Sequence, residues 1–528
     1  MKARRFAFGG VALLVASIAC VAAAAPQPAS RAASTARTPI ERTADAISEL
    51  RLDEAQHLLE QLALAQANAP EVLFEQGRLR FYLGDYAGAV ALADRALPGA
   101  NAQQRKGWQS MRDLMAATLD VTQGFERKVS GDGRYVVRFP PGKDAVLADY
   151  ALEVLGRADH ALQRTFGVSL PGPLRVEIYA SPQTLAQVSA LTVEQIETTG
   201  TVALSKWNRL MVTSPKALVR GYPWADTITH ELVHLVVSRA TGDRAPVWLQ
   251  EGTAKLFERS WRERDPGMEL DPGGRALLAD ATAKGKLLTF EQMHPSIAML
   301  PSEDDAALAF AQVATFMQRY VERYGLDKLR EAFVSIKNGM DAREALSKAA
   351  AVPFAKLESE WRASLPTKSD GPLLHRLKRR FRRGDGPSDE SAEVTESEAR
   401  RLLRIGDLLW DRGRASAAAK EYEKAHHADG LDPIVAARFG RAALQAGNAQ
   451  AAAEALTPQV RSYPSHEPSQ ALLGAARLQL GERQAARDAL SEAIWLNPFD
   501  PQPHCDLARA SDDPAQAKRE QLACDALR

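Results

Sequence analysis

The sequence predicts an α+β protein in which a small sheet with its helices is flanked on both sides by all-α helical repeats. Two observations predict this class. Strand patterns are confined to one central region and are followed there by helical patterns, and small residues recur every 34 residues near the C-terminus. Segregated strands and helices are typical of α+β folds, and a fixed period of this length indicates stacked helical units.

The first residues predict an export signal. Three basic residues, Lys2, Arg4 and Arg5, come first. They precede an apolar stretch, residues 7–25, that ends in alanines. Small residues before Ala25 supply a cleavage site, so we assign residues 1–24 to a signal peptide. We therefore expect a periplasmic or secreted protein. An uncleaved membrane anchor and lipid attachment at Cys20 are the alternatives.

Residues 38–122 predict paired helices. Gly77 and Gly84 are seven residues apart, and Ala55 precedes Ala89 by 34 residues, which is a fainter copy of the C-terminal pattern. We expect two degenerate repeats followed by one helix. A plain helical bundle is the alternative, because two units are few for a solenoid.

Residues 127–365 predict the sheet and the helices that cover it. Four segments have strand patterns: 134–139, 174–179, 202–204 and 210–212. The last two flank Trp207 and Asn208, which indicates a hairpin. Helical patterns occupy residues 146–166 and dominate from Ala225 to about Leu365. Strands first and helices afterwards is an α+β arrangement.

Residues 366–397 read as a charged linker. Residues 375–383 are strongly basic, whereas the stretch that follows is acidic and polar. This pattern favours a solvated tether whose two halves neutralise each other. Contact with an anionic surface, such as a membrane, is the alternative. The whole chain carries 67 basic and 66 acidic residues, a balance that argues against nucleic acid as the main partner.

Residues 398–528 predict stacked helical hairpins. Two glycine series and one alanine series share the 34-residue period: Gly406, Gly440 and Gly474; Gly413, Gly447 and Gly481; Ala418, Ala452 and Ala486. This pattern resembles the tetratricopeptide repeat, in which small residues let the two helices of a unit touch. The resemblance implies a surface for a protein partner. Cys505 and Cys524 lie in the last part, where an oxidising compartment would permit them to pair.

Residues 230–234 read His-Glu-Leu-Val-His and carry the predicted chemistry. A spacing of four places both imidazoles on one helical face, where they can hold a single metal ion. Glu231 lies beside the first histidine and can reach a water molecule there. A carboxylate on a second helix would complete a site of three protein ligands, as in catalytic zinc centres. Glu251, within residues 246–254, is the candidate.

Residues 246–254 have the pattern P-x-W-L-x-E-G-x-A. Together with His-Glu-x-x-His, this pattern resembles the peptidase-MA-like family of gluzincin zinc metallopeptidases, over about residues 127–365. The resemblance implies that His230, His234 and Glu251 bind Zn²⁺ and that Glu231 is the general base.

The same resemblance implies an edge strand that pairs with the backbone of an extended peptide substrate. The predicted substrate-binding residues precede the metal motif by about 30 positions: Gly200, Thr201, Val202 and Ala203. We therefore predict an exported zinc-dependent endopeptidase whose helical repeats recruit a protein substrate. The alternative is a protein-binding scaffold of the cell envelope with a catalytically weak or inactive site.

Two positions depart from the family's pattern. Lys255 stands where an acidic partner for a zinc histidine is common, and Glu258 is a candidate substitute one turn further on. Phe310 stands where a tyrosine hydroxyl would stabilise the oxyanion. Three tyrosines are candidate replacements, and the sequence does not choose among them: Tyr222, Tyr320 and Tyr324.

Overall fold

The computed structural model describes residues 37–262, 267–268, 270–368, 377, 379–382, 384 and 389–528. The signal peptide assigned to residues 1–24 lies outside this part of the chain and stays a prediction. Residues Thr38–Arg528 form one compact unit. No helix within the described residues is long and apolar enough to cross a membrane.

The N-terminal region consists of helices: α1 (Pro39–Ser48), α2 (Leu52–Gln66), α3 (Pro70–Leu83), α4 (Tyr86–Ala96) and α5 (Ala102–Thr122). α1 packs against α2, and α3 against α4, so two helical hairpins precede one longer helix. Gly77 and Ala89 mark the point where α3 and α4 touch. A Cβ atom on Gly77 would lie 3.1 Å from the carbonyl oxygen of Ala89. The periodic small residues of the sequence are therefore helix contacts.

The central region contains a mixed sheet with the strands β1 (Glu126–Val129), β2 (Tyr135–Phe139), β3 (Leu174–Tyr179), β4 (Ala203–Lys206) and β5 (Arg209–Thr213). The strand order is β1-β2-β3-β5-β4. The three inner strands are parallel, and each outer strand is antiparallel to its neighbour. Trp207 and Asn208 form the turn between β4 and β5, each with a φ of 56°. The predicted α+β class is confirmed.

Strand β1 is absent from the sequence prediction. Its four residues, Glu-Arg-Lys-Val, are all exposed. The strand therefore lacks the alternation of apolar and polar residues that reveals a half-buried strand. It forms only because β2 offers an open edge to pair with.

The helices of the central region are α6 (Ala145–Phe166), α7 (Pro182–Gln187), α8 (Val193–Thr199), α9 (Trp224–Thr241), α10 (Val247–Phe257), α11 (Pro272–Ala283), α12 (Glu303–Tyr324), α13 (Leu326–Lys337), α14 (Ala342–Ala350) and α15 (Phe354–Ser364). α6 and α9 pack together and against the sheet, and α10 lies between α9 and α12. Gly252 sets the distance from α10 to α12. A Cβ atom at this position would lie 2.7 Å from the carbonyl oxygen of Val313.

The C-terminal region consists of four helical hairpins, formed by α16 (Ser397–Asp411) with α17 (Ala415–Ala428), α18 (Pro433–Gln445) with α19 (Ala449–Ser462), α20 (Glu467–Gln479) with α21 (Arg483–Leu496), and α22 (Pro501–Ala510) with α23 (Pro514–Leu527). The first glycine series packs against the second helix of its own hairpin. Cβ atoms at Gly406, Gly440 and Gly474 would lie 2.4, 2.8 and 2.5 Å from side chains of that helix. The second series lies in the turns, where its φ angles of 72°, 76° and 77° favour glycine.

A disulfide joins Cys505 on α22 to Cys524 on α23, with a Cα–Cα distance of 5.1 Å. The pairing that the sequence left open is therefore present in the last hairpin. It links the two helices of one unit and lies apart from the metal motif in the chain.

The described part of the linker is docked and not solvated. The carbonyl of Arg380 accepts a hydrogen bond from the amide of Val219 (2.9 Å), and the amide of Arg382 donates to the carbonyl of Ala217 (2.7 Å). The Arg380 guanidinium pairs with Glu393 of the acidic half (2.7 Å). The two halves therefore neutralise each other while they pack against the central region.

Candidate metal centre

Helix α9 carries the motif His-Glu-Leu-Val-His. Its apolar face consists of Leu232, Val233, Val236 and Val237. This face is buried against the sheet and the neighbouring helices. That burial fixes the rotation of the helix, so His230 and His234 both face α10. Their ring centroids are 4.8 Å apart. The two imidazoles therefore lie together on one side of the helix, as their spacing predicts.

Helix α10 brings Glu251 to the two histidines. Glu251 Oε2 lies 3.2 Å from His230 Nε2 and 3.5 Å from His234 Nε2. One ligand atom from each of the three residues lies within 4.8 Å of the others. The carboxylate and the two imidazoles therefore converge on one point between α9 and α10.

The second ring nitrogen of each histidine is held by a side-chain oxygen. His230 Nδ1 donates to Glu258 Oε2 at 3.1 Å, and His234 Nδ1 donates to Gln250 Oε1 at 3.3 Å. These bonds fix the tautomer and leave both Nε2 atoms for a metal ion, the usual arrangement of zinc histidines. Two imidazoles and one carboxylate are also the donor set of catalytic zinc sites. The residues therefore fit a zinc ion.

Glu258 occupies the role proposed for it as a substitute. It accepts from His230 and also from Lys255, whose Nζ lies 2.5 Å from Glu258 Oε1. Burial raises the pKa of Glu258, but Lys255 and His230 outweigh burial and lower it to about 2. Gln250 was missed by the sequence prediction. Its one signal is its place directly before Glu251 at the start of α10.

Glu251 is held as a carboxylate. Burial by itself raises its pKa, but His234 and His230 have the larger combined effect and lower it well below the ordinary value. Burial lowers the pKa of His230, whereas its bonds to Glu251 and Glu258 raise it to about 9. The negative charge that holds a proton on His230 would attract a divalent cation equally well.

Glu231 lies next to this cluster and is almost completely buried, with 5% of its surface exposed. Burial raises its pKa, and the neighbouring histidines His234 and His230 oppose that shift. The Ser205 side chain, on β4, also opposes it. Glu231 therefore lies close both to the metal-binding group and to the edge strand.

The predicted substrate-binding segment, Gly200 to Ala203, joins the end of α8 to the start of β4. Gly200 ends α8, and its carbonyl accepts from the Arg379 guanidinium (3.0 Å). The amide of Thr201 donates to Ile196, and the carbonyl of Val202 accepts from Thr213. Each of these three residues therefore has one backbone group engaged within the chain.

The outward face of β4 lies further along the strand. Val202 forms a hydrogen-bonded pair with Thr213, and such pairs alternate along antiparallel strands. The backbone groups of Ala203 and Ser205 therefore point away from β5. β4 ends the strand order of the described sheet, so these groups form an open edge. Of the four predicted residues, Ala203 alone belongs to this edge.

None of the three candidate tyrosines donates to the metal-binding group. The hydroxyl of Tyr222 donates to the carbonyl of Thr213, that of Tyr320 to Leu346, and that of Tyr324 to Glu360. The ring of Phe310, in contrast, lies 6.3 Å from that of His230. Position 310 therefore lies near the metal-binding group, and its phenylalanine carries no hydroxyl.

The central region thus combines a pair of histidines one turn apart, a glutamate on the next helix and a sheet with an open edge strand. Residues 157–367 match the sequence model of the Peptidase MA superfamily. The predicted family resemblance is confirmed for this segment. Members of this superfamily are typically metal-dependent, and the three converging side chains agree with that property. No curated protein matches the chain.

Solved structures similar to the chain include tetratricopeptide domains. The first such domain of Spaghetti (RPAP3), bound to an HSP90 peptide, is 21% identical, covers 24% of this chain and 96% of its own, and has a TM-score of 0.21. MamA is 18% identical over 25% of this chain and 78% of its own, with a TM-score of 0.22. The Sgt2 domain from Aspergillus fumigatus is 20% identical over 23% and 83%, with a TM-score of 0.21.

Proposed function

We propose that the chain is an exported zinc-dependent endopeptidase that hydrolyses peptide bonds of a protein substrate. The observation that carries the proposal is the convergence of His230, His234 and Glu251 with both histidine Nδ1 atoms already held by oxygen acceptors. A structural metal site would use four protein ligands, whereas this group offers three.

The residues of the site have separate roles in the proposed reaction. A zinc ion held by the three ligands would supply Lewis acidity, which lowers the pKa of a water molecule and polarises a carbonyl group. Glu231 would accept a proton from the attacking water and would return it to the amine of the departing product. Ala203 and Ser205 bind the substrate backbone as an added strand. A buried base with a raised pKa suits this transfer, because it must hold the proton between the two steps.

Export is part of the proposal and is supported from both ends of the chain. Residues 1–24 have the pattern of a signal peptide. The disulfide between Cys505 and Cys524 requires an oxidising environment to form and persist. We therefore place the mature protein in the periplasm or outside the cell.

The helical repeats are proposed to bind a protein partner, since stacked hairpins of this kind present extended surfaces. The acidic part of the linker already occupies some of that surface. Glu390 pairs with Arg438 of α18 (3.2 Å), and the Ser391 hydroxyl accepts from Arg404 of α16 (2.9 Å). An external partner would therefore use other parts of the repeats or displace this segment.

Membrane contact through the basic linker is the weaker part of the partner proposal. Arg379 binds the carbonyl of Gly200, and Arg382 binds those of Leu218 and Val219. Arg380 forms an ion pair with Glu393. The described arginines of this stretch therefore all bond to other parts of the protein. Nucleic acid is not proposed as a partner, because the chain has no excess of positive charge.

Cleavage of a broad peptide library by the full-length mature chain tests the enzyme. We expect cleavage that stops when a chelator is added and returns when Zn²⁺ is restored. Glu231→Gln should abolish cleavage and still bind one zinc ion per chain, because Glu231 is not a ligand. Glu322→Gln, an exposed glutamate of α12, is the control and should cleave normally. Undiminished cleavage by Glu231→Gln would refute its role as the base.

A second function is a protein-binding scaffold with a catalytically weak or inactive site. The observation that favours it is the absence of a tyrosine hydroxyl beside His230, where Phe310 lies instead. Removal of one oxyanion donor commonly costs a factor of about 100 to 1,000 in turnover. Zinc bound at one ion per chain without chelator-sensitive cleavage of any library peptide would favour the scaffold.

A further inference from the structure

We propose that the third repeat hairpin forms part of the support of the metal centre and that Arg262 is the positioning residue that connects them. This inference rests on the proposed zinc site and extends it. The repeats would then be a structural component of the peptidase and not only a recruiting module attached to it.

The end of α21, in the third hairpin, contacts the start of α9. The indole Nε1 of Trp224, the first residue of α9, donates to the carbonyl of Ile494 at 3.2 Å. The amide of Tyr222 donates to the carbonyl of Leu496 at 2.9 Å. A Cβ atom on Gly221 would lie only 2.1 Å from the oxygen of Leu496, so only glycine allows this approach. The repeat helix is thus bonded directly to the helix that carries the histidines.

Arg262 connects three elements at this interface. Its Nε lies 3.2 Å from Asp226 Oδ1 on α9, and its Nη1 lies 2.5 Å from Glu492 Oε1 on α21. Trp261 donates to the same Asp226 oxygen at 2.7 Å. Arg262 and Asp226 are mostly buried, with 15% and 14% of their side chains exposed. Charged pairs with this little solvent hold their geometry more firmly than exposed ones.

The same residues are close in sequence to the groups that orient the metal ligands. Asp226 precedes His230 by four residues, which is about one turn of α9. Arg262 follows Glu258 by four residues, and Glu258 accepts the hydrogen bond from His230 Nδ1. The Asp226–Arg262 pair therefore fixes the segment after α10 to the turn of α9 that precedes the first histidine. It sets the relative position of Glu258 and His230.

Aromatic packing makes the connection stiff. Trp495 of α21 contacts three rings of the central region, with centroid distances of 4.7 Å to Trp261, 5.6 Å to Trp224 and 5.5 Å to Tyr150. Trp224 begins α9, and Trp261 follows α10. A displacement of α21 would therefore move both helices that bear the ligands, because tightly packed rings do not slide independently.

Zinc affinity of the full-length chain, measured by chelator competition, tests the inference. Loss of a group that orients a zinc histidine costs about 10- to 100-fold in metal affinity. Arg262 acts one contact further out, so we expect Arg262→Met to raise the zinc Kd by roughly tenfold and Arg262→Lys to restore part of the affinity. Glu492→Gln should raise the Kd about threefold. The visible spectrum of the Co²⁺-loaded protein should shift in the same variants.

The control is Glu153→Gln, which breaks another ion pair between the repeats and the central region. Glu153 pairs with Arg519 at 2.8 Å, and the two residues belong to α6 and α23, neither of which carries a residue of the metal-binding group. Its zinc Kd should equal that of the wild type. Glu492 is 38% exposed, so Glu492→Gln keeps the test valid should Arg262→Met fail to fold.

Two results would overturn the inference. The first is an unchanged zinc Kd and Co²⁺ spectrum in folded Glu492→Gln and Arg262→Met. The second is an equal rise in Kd for Glu153→Gln, which would show a general effect of loosened domains. A wild-type chain that binds no zinc would instead refute the proposed function, and this inference with it.

Discussion

The acidic partner of His230 shows how the site tolerates a departure from its family's pattern. Lys255 takes the position where the family commonly has an acid, and the carboxylate moves three residues along α10 to Glu258. Lys255 pairs with Glu258 instead of repelling the metal site. The ion pair keeps Glu258 charged, so the hydrogen bond to His230 is retained.

Glu258→Gln should weaken zinc binding by about tenfold, since a neutral amide orients the imidazole less firmly than a carboxylate. The measurement is chelator competition on the purified chain. Lys255→Met is the matched comparison, because it removes the ion pair and leaves the Glu258–His230 bond in place. A larger loss from Lys255→Met than from Glu258→Gln would contradict the role given to Glu258.

His466 provides a pH-dependent contribution to stability far from the metal site in the chain. It is buried directly before α20, and this burial, together with Arg220 and Arg438, lowers its pKa to about 3. Its Nδ1 lies 2.7 Å from the Ser469 hydroxyl. The imidazole is therefore neutral in the folded protein across the physiological range.

The depressed pKa fixes the direction of the effect. A histidine in the unfolded chain binds a proton below about pH 6.5. Folded His466 stays neutral at that pH, so the unfolded state binds one more proton than the folded state as the pH falls. Stability from this group is complete above pH 6.5 and is lost as the pH falls toward 3. Between pH 7 and pH 5 the free energy of unfolding should fall by about 2 kcal/mol more in the wild type than in His466→Gln. Equal pH dependence in urea unfolding would contradict this assignment.

At the level of single residues, the sequence was sufficient to predict which side chains come together when they are only a few positions apart in the chain. His230, Glu231 and His234 lie on one helix, and Glu251 lies in a motif just beyond it. Contacts between distant segments were not predictable. The bond of Arg379 to Gly200 joins residues 179 positions apart, and no local pattern indicates it.

Among the elements, α10 depends on a close approach that only a small residue permits. Gly252, directly after Glu251, faces α12, where an added Cβ would lie 2.5 Å from Met317 Cγ and 2.7 Å from the Val313 carbonyl. The methionine can move, but the backbone carbonyl cannot. The packing of α10 on α12 therefore explains why the sequence motif has a glycine at this position.

Gly252→Ala should lower the free energy of unfolding by about 1–3 kcal/mol, the usual cost of overpacking, and should weaken zinc binding because α10 shifts. Thermal and urea unfolding measure the first effect. Gly274→Ala is the control, because its added Cβ would lie 3.7 Å from Asp271, an ordinary contact. Similar stability losses in both variants would argue against the close packing of α10 on α12.

The elements that could be predicted were those with a strong pattern in the sequence. The 34-residue period located the hairpins because the glycines of one series lie where two helices touch and those of the other lie in the turns between them. β1 and the docked linker were not foreseen. Both are charged segments held by backbone pairing with a neighbour, and such pairing leaves no hydrophobic pattern in the sequence.

For the whole molecule, the interface between the repeats and the central region could not be predicted from the sequence. Trp224 and Ile494 are 270 residues apart and share a hydrogen bond. Their neighbours form an aromatic group around Trp495. Tryptophans within helical patterns predict burial but not the partner they contact, so the two regions could be foreseen only as separate domains.

The most direct test of the zinc site is X-ray absorption at the zinc edge of the full-length chain loaded with one equivalent of Zn²⁺. We expect only nitrogen and oxygen neighbours, with the signal of two imidazoles, and a loss of affinity in Glu251→Gln with both imidazoles retained. Sulfur neighbours, a number of imidazoles other than two, or a spectrum and affinity that Glu251→Gln leaves unchanged would contradict it.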